Sequence, residues 1–252
     1  IADMVFGGED AVITINMTEF KELHKTSMLL GAAAGYVGYG QGGVLTEAVK
    51  RRPYSVILLD EMEKAHPEVQ DIFYQIFDKG FISDSEGTKV DFRNTIIIMT
   101  SNAAENEIRQ IVAAAEEDEE AIMPNAEAIE AHIKPVLLQH FKPAFLGRTK
   151  VIPYMPLNHE ASALISRIHL NRIGKRLQAQ YAAEFEYSDG FINHVVMNNN
   201  DPLSGGRAIE RIINGDLLPR LASVCIEQLV EGYDIDRVIV DAQDNKVTIE
   251  LE

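Results

Sequence analysis

The chain has 252 residues, enough for one large domain or two modest ones, and its 39 acidic against 23 basic residues give a formal net charge of −16. This acidic balance argues against a nucleic-acid partner, because binding to a phosphate backbone needs a basic surface. The single cysteine, Cys225, excludes an internal disulfide, and the longest apolar runs are too short to span a bilayer, so we expect a cytoplasmic protein without a membrane partner.

The first part of the chain alternates strands and helices. It begins at Ile1, without a methionine or a signal peptide, in what looks like the end of a helix closed by Gly7 and Gly8, so we do not expect a natural start here. Periodicity then predicts, in chain order, a strand over 12–16, a helix over 19–30 capped by Thr18, a strand over 56–59, a helix with apolar residues from Val69 to Phe77 that ends at Gly80, and strands over 95–101 and 149–153.

The segment VILLDE, residues 56–61, is the most informative part of the sequence. A strand that is buried on both faces is continuously apolar, so we expect Asp60 and Glu61 to lie at the carboxyl end of a parallel strand, where such sheets bind ligands. Two acids at that position favour a hydrated magnesium ion that carries nucleotide phosphates. The alternative is a strand that simply runs into the N-terminus of a helix. The helix dipole would stabilise acidic side chains there, including Glu63 and Glu68.

A second apolar strand, TIIIMTS, ends at Asn102. Together with the strand over 56–59 and the intervening helix it predicts a strand–helix–strand unit, so Asn102 should lie at the same edge of the sheet as Asp60. Residues 103–133 are rich in alanine and acidic residues, and we expect them to form a solvated, partly helical insertion.

The last third of the chain predicts a smaller, mainly helical domain after a boundary near Pro156. Its predicted elements are a helix from Asn158 as cap to about 180, a helix over 206–230 between Ser204 and Gly232, and a hairpin of 237–240 with 247–251 around Asp244–Asn245. No internal repeat is visible in the sequence.

Four blocks of sequence carry a family resemblance: GYVGYG, LTEAVKRRPYSVILLDEMEKAHPEV, DFRNTIIIMTSN and SGGRAIERI. They resemble the second ATPase module of the Clp/Hsp100 group of AAA+ unfoldases. The resemblance implies an α/β fold, in which 1–156 is the large AAA+ subdomain with a parallel sheet flanked by helices and 157–252 is the small, helical subdomain with a few strands. Within the group, IFYQIFDKG and FLGRTKVIPYMPL look most like ClpV, the ATPase that recycles contracted sheaths of type VI secretion.

The resemblance also implies roles for individual residues around ATP and Mg²⁺. Asp60 would hold the magnesium ion and Glu61 would polarise the attacking water, while Asn102 resembles sensor 1. Arg148 resembles the arginine finger, which reaches the nucleotide of the neighbouring subunit, and Arg207 resembles sensor 2. Taken singly, Asn102 is also typical of a turn after a strand and each arginine of an exposed surface.

In the family, the tyrosine of GYVGYG grips a substrate polypeptide in the axial pore. This role falls on Tyr36 with Val37 beside it, whereas Tyr39 either lines the loop or packs inward. Residues 84–89 resemble a second pore loop, which we call the second loop. Ser85 and Thr88–Lys89 stand where relatives often carry glycine and arginine, so contacts from this loop to a substrate are not implied by the resemblance.

The phosphate-binding motif G-x-x-x-x-G-K-[ST] does not occur in these 252 residues. Since that loop carries most of the phosphate binding, we expect this chain to bind ATP poorly alone and to be part of a longer double-ring ATPase. The first strand of the AAA+ sheet would also be missing. Its absence would expose the edges of the strand over 95–101 and of the last strand.

Three functions remain open. The first is a homo-hexameric motor that threads a protein substrate, such as the sheath subunits on which ClpV acts. The second is a general disaggregase of the ClpB kind; a protease partner is not expected, because 103–125 lacks the docking tripeptide of protease-feeding relatives. The third is a catalytically silent module retained for oligomer contacts.

Overall fold

A computed structural model describes residues 1–32, 42–117, 122–199, 205–243 and 246–252. The chain divides into two compact units, Ile1–Tyr154 and Met155–Glu252. Within the described residues, no helix is both long enough and apolar enough to cross a membrane.

The first unit is an α/β structure. Its elements are α1 (Ala2–Phe6), β1 (Val12–Asn16), α2 (Leu23–Thr26), α3 (Val44–Arg51), β2 (Ser55–Asp60), α4 (Pro67–Lys79), β3 (Phe81–Ser83), β4 (Lys89–Asp91), β5 (Thr95–Met99), α5 (Glu105–Glu117), α6 (Ala126–His140) and α7 (Pro143–Leu146). The predicted helix end at the start of the chain is confirmed: α1 ends at Gly7, which has a φ of 79°.

A parallel sheet in the order β1–β2–β5 organises this unit. Ile57 of the central strand pairs with Ile13 on one side and Ile97 on the other, and it is completely buried. The prediction of a strand buried on both faces before Asp60 is therefore confirmed. Strand β5 pairs only with β2 among the described strands, and all five of its residues are half-buried.

The predicted strand over 149–153 is wrong. These residues pair with no described strand, although Val151 still packs against the core. An extended segment becomes a strand only where a neighbour supplies hydrogen-bond partners for its backbone, and no described strand lies beside this one.

The predicted continuous helix over 19–30 is also wrong. The structure has a 3₁₀ turn over Met17–Phe20, the single turn α2, and a further 3₁₀ turn over Ser27–Leu29. The cap is Asn16 rather than Thr18, because the Asn16 side chain accepts hydrogen bonds from the Thr18 amide (2.9 Å) and the Thr18 hydroxyl (2.6 Å). Side-chain hydroxyls also compete for the backbone, as where Ser27 donates to the carbonyl of His24 (2.9 Å).

Helices α4 and α6 supply much of the core of this unit. The prediction for α4 is confirmed: Val69, Phe73 and Ile76 are buried, and Gly80 ends the helix with a φ of 73°. The prediction of a solvated insertion over 103–133 is wrong, because both ends of the segment join the core: Ala104 is buried in it, and so is one face of α6. Buried apolar residues recur every fourth position of α6 and join the main core; they are Ile129, Ile133 and Leu137.

The second unit contains α8 (His159–Tyr181), β6 (Glu184–Tyr187), α9 (Asp189–Met197), α10 (Gly205–Ile212), α11 (Leu218–Val230), β7 (Arg237–Gln243) and β8 (Lys246–Leu251). The cap of α8 is confirmed, since the Asn158 side chain accepts from the Ala161 amide at 2.8 Å. The predicted hairpin is confirmed as β7 and β8, and the unpredicted β6 adds a parallel strand to it. The predicted Ser204 and Asp244–Asn245 lie outside the described residues.

The predicted helix over 206–230 is confirmed, but it contains a π-helical turn over Ile213–Leu217. This turn ends two residues before Pro219, which has no backbone N–H and whose ring would clash with the carbonyl of Gly215 in a regular α-helix. The wider turn lets the chain remain helical across the proline.

Two adjacent leucines of α6 test its place in the core. Leu137 is 8% exposed and Leu138 is 41% exposed. We expect Leu137→Ala to lower the free energy of unfolding by about 2–4 kcal/mol, since truncation of a buried leucine leaves a cavity, and Leu138→Ala to change it by less than about 1 kcal/mol. Urea denaturation of the two variants checks this, and equal losses would mean that α6 is not part of the core.

Candidate nucleotide-hydrolysis site

The acidic pair lies where the sequence places it, at the carboxyl end of the central strand. Asp60 is the last residue of β2, and Glu61 follows with a φ of 57° and a ψ of 49°. This left-handed conformation is uncommon for a residue with a side chain and persists only where neighbouring contacts fix it. The chain therefore turns sharply at Glu61, directly after Asp60.

Thr100 supplies the contacts that fix this turn. Its amide donates to the carbonyl of Leu59 (2.9 Å), and its carbonyl accepts from the amide of Met62 (2.9 Å). Its hydroxyl accepts from the Glu61 amide (3.1 Å) and donates to the Asp60 carboxylate. One threonine, directly after the neighbouring strand β5, thus bonds to four successive residues around the acidic pair. The sequence analysis did not identify Thr100; the available signal was its position two residues before Asn102.

Asn102 lies at the same edge of the sheet. Leu59 and Met99 are paired in register, so the residues that follow β2 and β5 emerge side by side. The carbonyl of Asn102 accepts from the amide of Glu105 (3.2 Å) at the start of α5. Its side-chain amide is exposed and makes no hydrogen bond within the described part of the chain. The structure therefore brings together Asp60, Glu61, Thr100 and Asn102.

The oxygen donors at this edge fit a magnesium ion that is held mainly by phosphates. The residues that the structure describes contain no cluster of three or more His, Cys, Asp or Glu side chains that could enclose a metal by themselves. Magnesium bound to nucleotide typically takes only one or two carboxylates from the protein. Thr100 engages one oxygen of Asp60, and within the described residues the other oxygen has no hydrogen-bond partner, so it remains available to a ligand.

Glu63 differs from the solvated helix-end acid that the alternative interpretation requires. Its side chain is 4% exposed, and within the described residues neither carboxylate oxygen has a hydrogen-bond partner. The nearest cation is the ammonium of Lys64, at 3.9 Å. Burial of a carboxylate with so little compensation costs free energy. Two residues of this turn are therefore held in unfavourable states: Glu61 through its backbone conformation and Glu63 through its buried side chain.

Arg148 follows the short helix α7, and its contacts lead to α4. The guanidinium lies 4.2 Å from the ring centroid of Tyr74 and 3.2 Å from a carboxylate oxygen of Asp78, and it donates to the carbonyl of Ala144 at 3.4 Å. Its hydrogen bonds thus go to α4 and α7 and not to Asp60 or Glu61. The sequence analysis missed Tyr74 and Asp78, which are one helical turn apart on α4.

Four predicted residues remain, Arg207 and three residues of the glycine-rich segment. Arg207 lies in the first turn of α10 in the second unit, where it is exposed. Tyr36, Val37 and Tyr39 lie outside the described residues.

The hydroxyl of Thr100 gives a direct test of what holds the turn. Thr100→Val keeps the shape and the backbone bonds but removes the bonds to Asp60 and Glu61, so we expect the free energy of unfolding to fall by about 1 kcal/mol. Thr100→Ser retains the hydroxyl and should lose less. Urea denaturation at constant pH measures both variants, and a valine variant as stable as the serine variant would contradict this role.

The sequence of the chain matches two protein-family models and is similar to several known proteins. The family model "AAA domain (Cdc48 subfamily)" matches residues 1–152, and the model "C-terminal, D2-small domain, of ClpB protein" matches residues 157–240. The chain is 46% identical over 98% of its length to the AAA+ ATPase ClpV1 of Pseudomonas aeruginosa, of which it covers 27%. It is 43% identical over 100% of its length to the chaperone protein ClpB of Yersinia enterocolitica, of which it covers 28%.

A third relative, the chaperone protein ClpB of Aquifex aeolicus, is 40% identical over 98% of the chain, which covers 24% of that protein. The chain thus spans about a quarter of the length of the curated relatives that it matches. Because the two family models together account for both compact units, the chain belongs to the AAA+ family and, through its ClpB-type small domain, to the Clp/Hsp100 group within it.

Proposed function

We propose that the chain is the C-terminal ATPase module of a homo-hexameric, ATP-driven protein remodeller. The observation that carries this proposal is the turn at the end of β2, where Thr100 holds Asp60 and Glu61 at the edge of the sheet from which Asn102 also emerges. Carboxylates for a metal and for a water molecule, next to an amide, are the groups that hydrolysis of a phosphoanhydride needs. Sequence similarity to ClpV1 and ClpB supports the same chemistry.

Each residue then has a defined task when ATP and Mg²⁺ are bound, the nucleotide supplying the phosphoanhydride and the metal neutralising charge. Asp60, of which Thr100 engages only one carboxylate oxygen, would hold the metal through a water molecule. Glu61 orients a water and accepts its proton, and Asn102 donates a hydrogen bond to that water or to the terminal phosphate. Arg148 of one subunit neutralises charge at the site of its neighbour, and Arg207 couples the small unit to the phosphates.

The substrate is a polypeptide that Tyr36 and Val37 contact in the pore of the ring. We propose sheath subunits of type VI secretion, because two stretches of the chain resemble ClpV and the whole chain is 46% identical to ClpV1. These two stretches contact each other in the structure. Tyr74 and Asp78 belong to IFYQIFDKG, and Arg148, which they bind, belongs to FLGRTKVIPYMPL. A ClpB-like disaggregase is the second candidate, because identity to ClpB of Yersinia enterocolitica extends over the whole chain.

A graft tests the proposed function. The 252 residues replace the matching quarter of Pseudomonas aeruginosa ClpV1, whose first ATPase ring is silenced by mutation, and ATP hydrolysis and sheath disassembly are measured. We expect both activities. In the graft, Glu61→Gln should retain nucleotide binding but slow hydrolysis by about 10²–10⁴-fold, because the base that activates water is lost.

A graft whose hydrolysis is unaffected by Glu61→Gln would contradict this proposal, as would a graft that binds nucleotide but never hydrolyses it. The same 252 residues placed in ClpB provide the matched control for the substrate. Disaggregation by that graft, without sheath disassembly by the first, would favour the second candidate.

Arg148 and its partner Tyr74 make a separate prediction in the same graft. Arg148→Ala should lower kcat by about 10³-fold or more, since it removes a cation from the transition state. Tyr74→Leu removes the aromatic face beneath the guanidinium and should lower kcat about fivefold at unchanged KM, whereas Tyr74→Phe keeps that face and should keep the activity. Equal activity of the leucine and phenylalanine variants would contradict a positioning role for the ring.

A further inference from the structure

The second loop, residues 84–89, is organised by one buried carboxylate. The side chain of Asp84 is 4% exposed. One of its oxygens accepts from the amides of Glu86 (2.9 Å) and Thr88 (2.8 Å), and the amide of Asp84 donates to the carbonyl of Thr88 (2.9 Å). The loop between β3 and β4 is therefore held by its own backbone amides. The unusual residues Ser85, Thr88 and Lys89 do not disturb this arrangement, because it uses the backbone of Thr88 and none of their side chains.

The other oxygen of Asp84 joins this loop to a distant part of the chain. It lies 2.6 Å from the ammonium of Lys50, which also binds the carboxylate of Glu47 at 2.8 Å. The hydrogen bond from Lys50 lowers the pKa of Asp84, and the amides of Thr88 and Glu86 lower it further. Hydrogen bonds to the carboxylates of Asp84 and Glu47 raise the pKa of Lys50. Asp84 and Lys50 thus remain a charged pair at neutral pH.

Lys50 and Glu47 belong to α3, which begins directly after the glycine-rich segment that contains Tyr36. The two ends of that segment meet in a bridge between Gly31 and Gly42. A side chain at Gly31, which has a φ of 102°, would meet the hydroxyl of Ser85 at 2.4 Å. We call the paired ends, residues 30–31 and 42–43, the base of the segment. The base is in direct contact with the second loop, and no side chain would fit between Gly31 and Ser85.

A backbone hydrogen bond reinforces this contact. The amide of Ser85 donates to the carbonyl of Leu30, which immediately precedes Gly31, at 3.1 Å. The two ends of the segment are themselves close together, because a side chain at Gly43 would meet the carbonyl carbon of Leu30 at 2.3 Å. The second loop is thus attached to this base at two points, by Ser85 and by the Lys50–Asp84 pair.

We propose that Lys50 is a positioning residue for substrate binding: its ion pair with Asp84 holds the second loop in a fixed position on the base of the segment that carries Tyr36. This inference rests on the proposed function for its reference to substrate. The attachment itself is a property of this chain and can be measured without any ATPase. Among the described residues the ammonium of Lys50 bonds only to Glu47 and Asp84 and not to the acidic edge, so we expect ATP hydrolysis in the absence of substrate not to depend on it.

Hydrogen exchange of the 252-residue chain tests the attachment. We expect Lys50→Met to speed the exchange of the Glu86 and Thr88 amides about tenfold, while Lys50→Arg leaves it nearly unchanged. The matched control is Lys142→Met, which removes a similar ion pair with Asp71 (2.7 Å) elsewhere in the same unit and should leave these amides unaffected. Unchanged exchange in Lys50→Met, or an equal effect of Lys142→Met, would overturn the proposal.

The ClpV1 graft tests the consequence for substrate. In the absence of substrate, we expect the Lys50→Met graft to hydrolyse ATP as fast as the unsubstituted graft. It should lose the stimulation of ATP hydrolysis by sheath subunits and it should lose sheath disassembly. The Lys50→Arg graft should retain the stimulation and the disassembly. Full disassembly by a Lys50→Met graft whose loop exchanges faster would overturn the positioning role. A graft that hydrolyses no ATP at all would instead overturn the proposed function, and the exchange experiment would still decide whether the attachment exists.

Discussion

The hydrogen bonds of Thr100 are the interaction on which the candidate site depends. Glu61 has a backbone conformation that a residue with a side chain adopts only under constraint. Thr100 provides this constraint from the neighbouring strand, with two backbone bonds and two bonds through its hydroxyl. The position of Asp60 therefore depends on the pairing of β2 with β5. A change that disturbs this pairing will also disturb the acidic edge.

The sheet explains why these residues lie together and the helices explain what surrounds them. Strand β2 is buried because β1 and β5 lie on either side of it and apolar residues of α4 and α6 pack in the same core. Helix α4 has a second task, because its Tyr74 and Asp78 bind Arg148. Core packing and the placement of a candidate catalytic arginine thus depend on one helix, so damage to the core face of α4 should also affect Arg148.

The sequence predicted the site in outline because its main signals are local. The run VILLDE predicts both the buried strand and the acids at its end, and the register of β2 with β5 puts the residues after Met99, Asn102 among them, at the same edge of the sheet. Thr100 was missed because a threonine after a strand resembles any exposed polar residue until its partners are known. Tyr74 and Arg148 meet only through tertiary structure. The strand over 149–153 and the helix over 19–30 failed because periodicity specifies neither a pairing partner nor competing side-chain hydrogen bonds.

Binding of nucleotide in the presence and absence of Mn²⁺, a substitute for Mg²⁺, tests most directly whether the acidic edge holds a metal–nucleotide complex. In the ClpV1 graft, calorimetry should show that Mn²⁺ strengthens the binding of ADP to the unsubstituted module. In Asp60→Asn, ADP should bind with nearly the same affinity with and without the metal, because the carboxylate that holds the ion is lost. If Mn²⁺ strengthens ADP binding equally in both proteins, Asp60 does not hold the metal and the assignment of this edge is wrong.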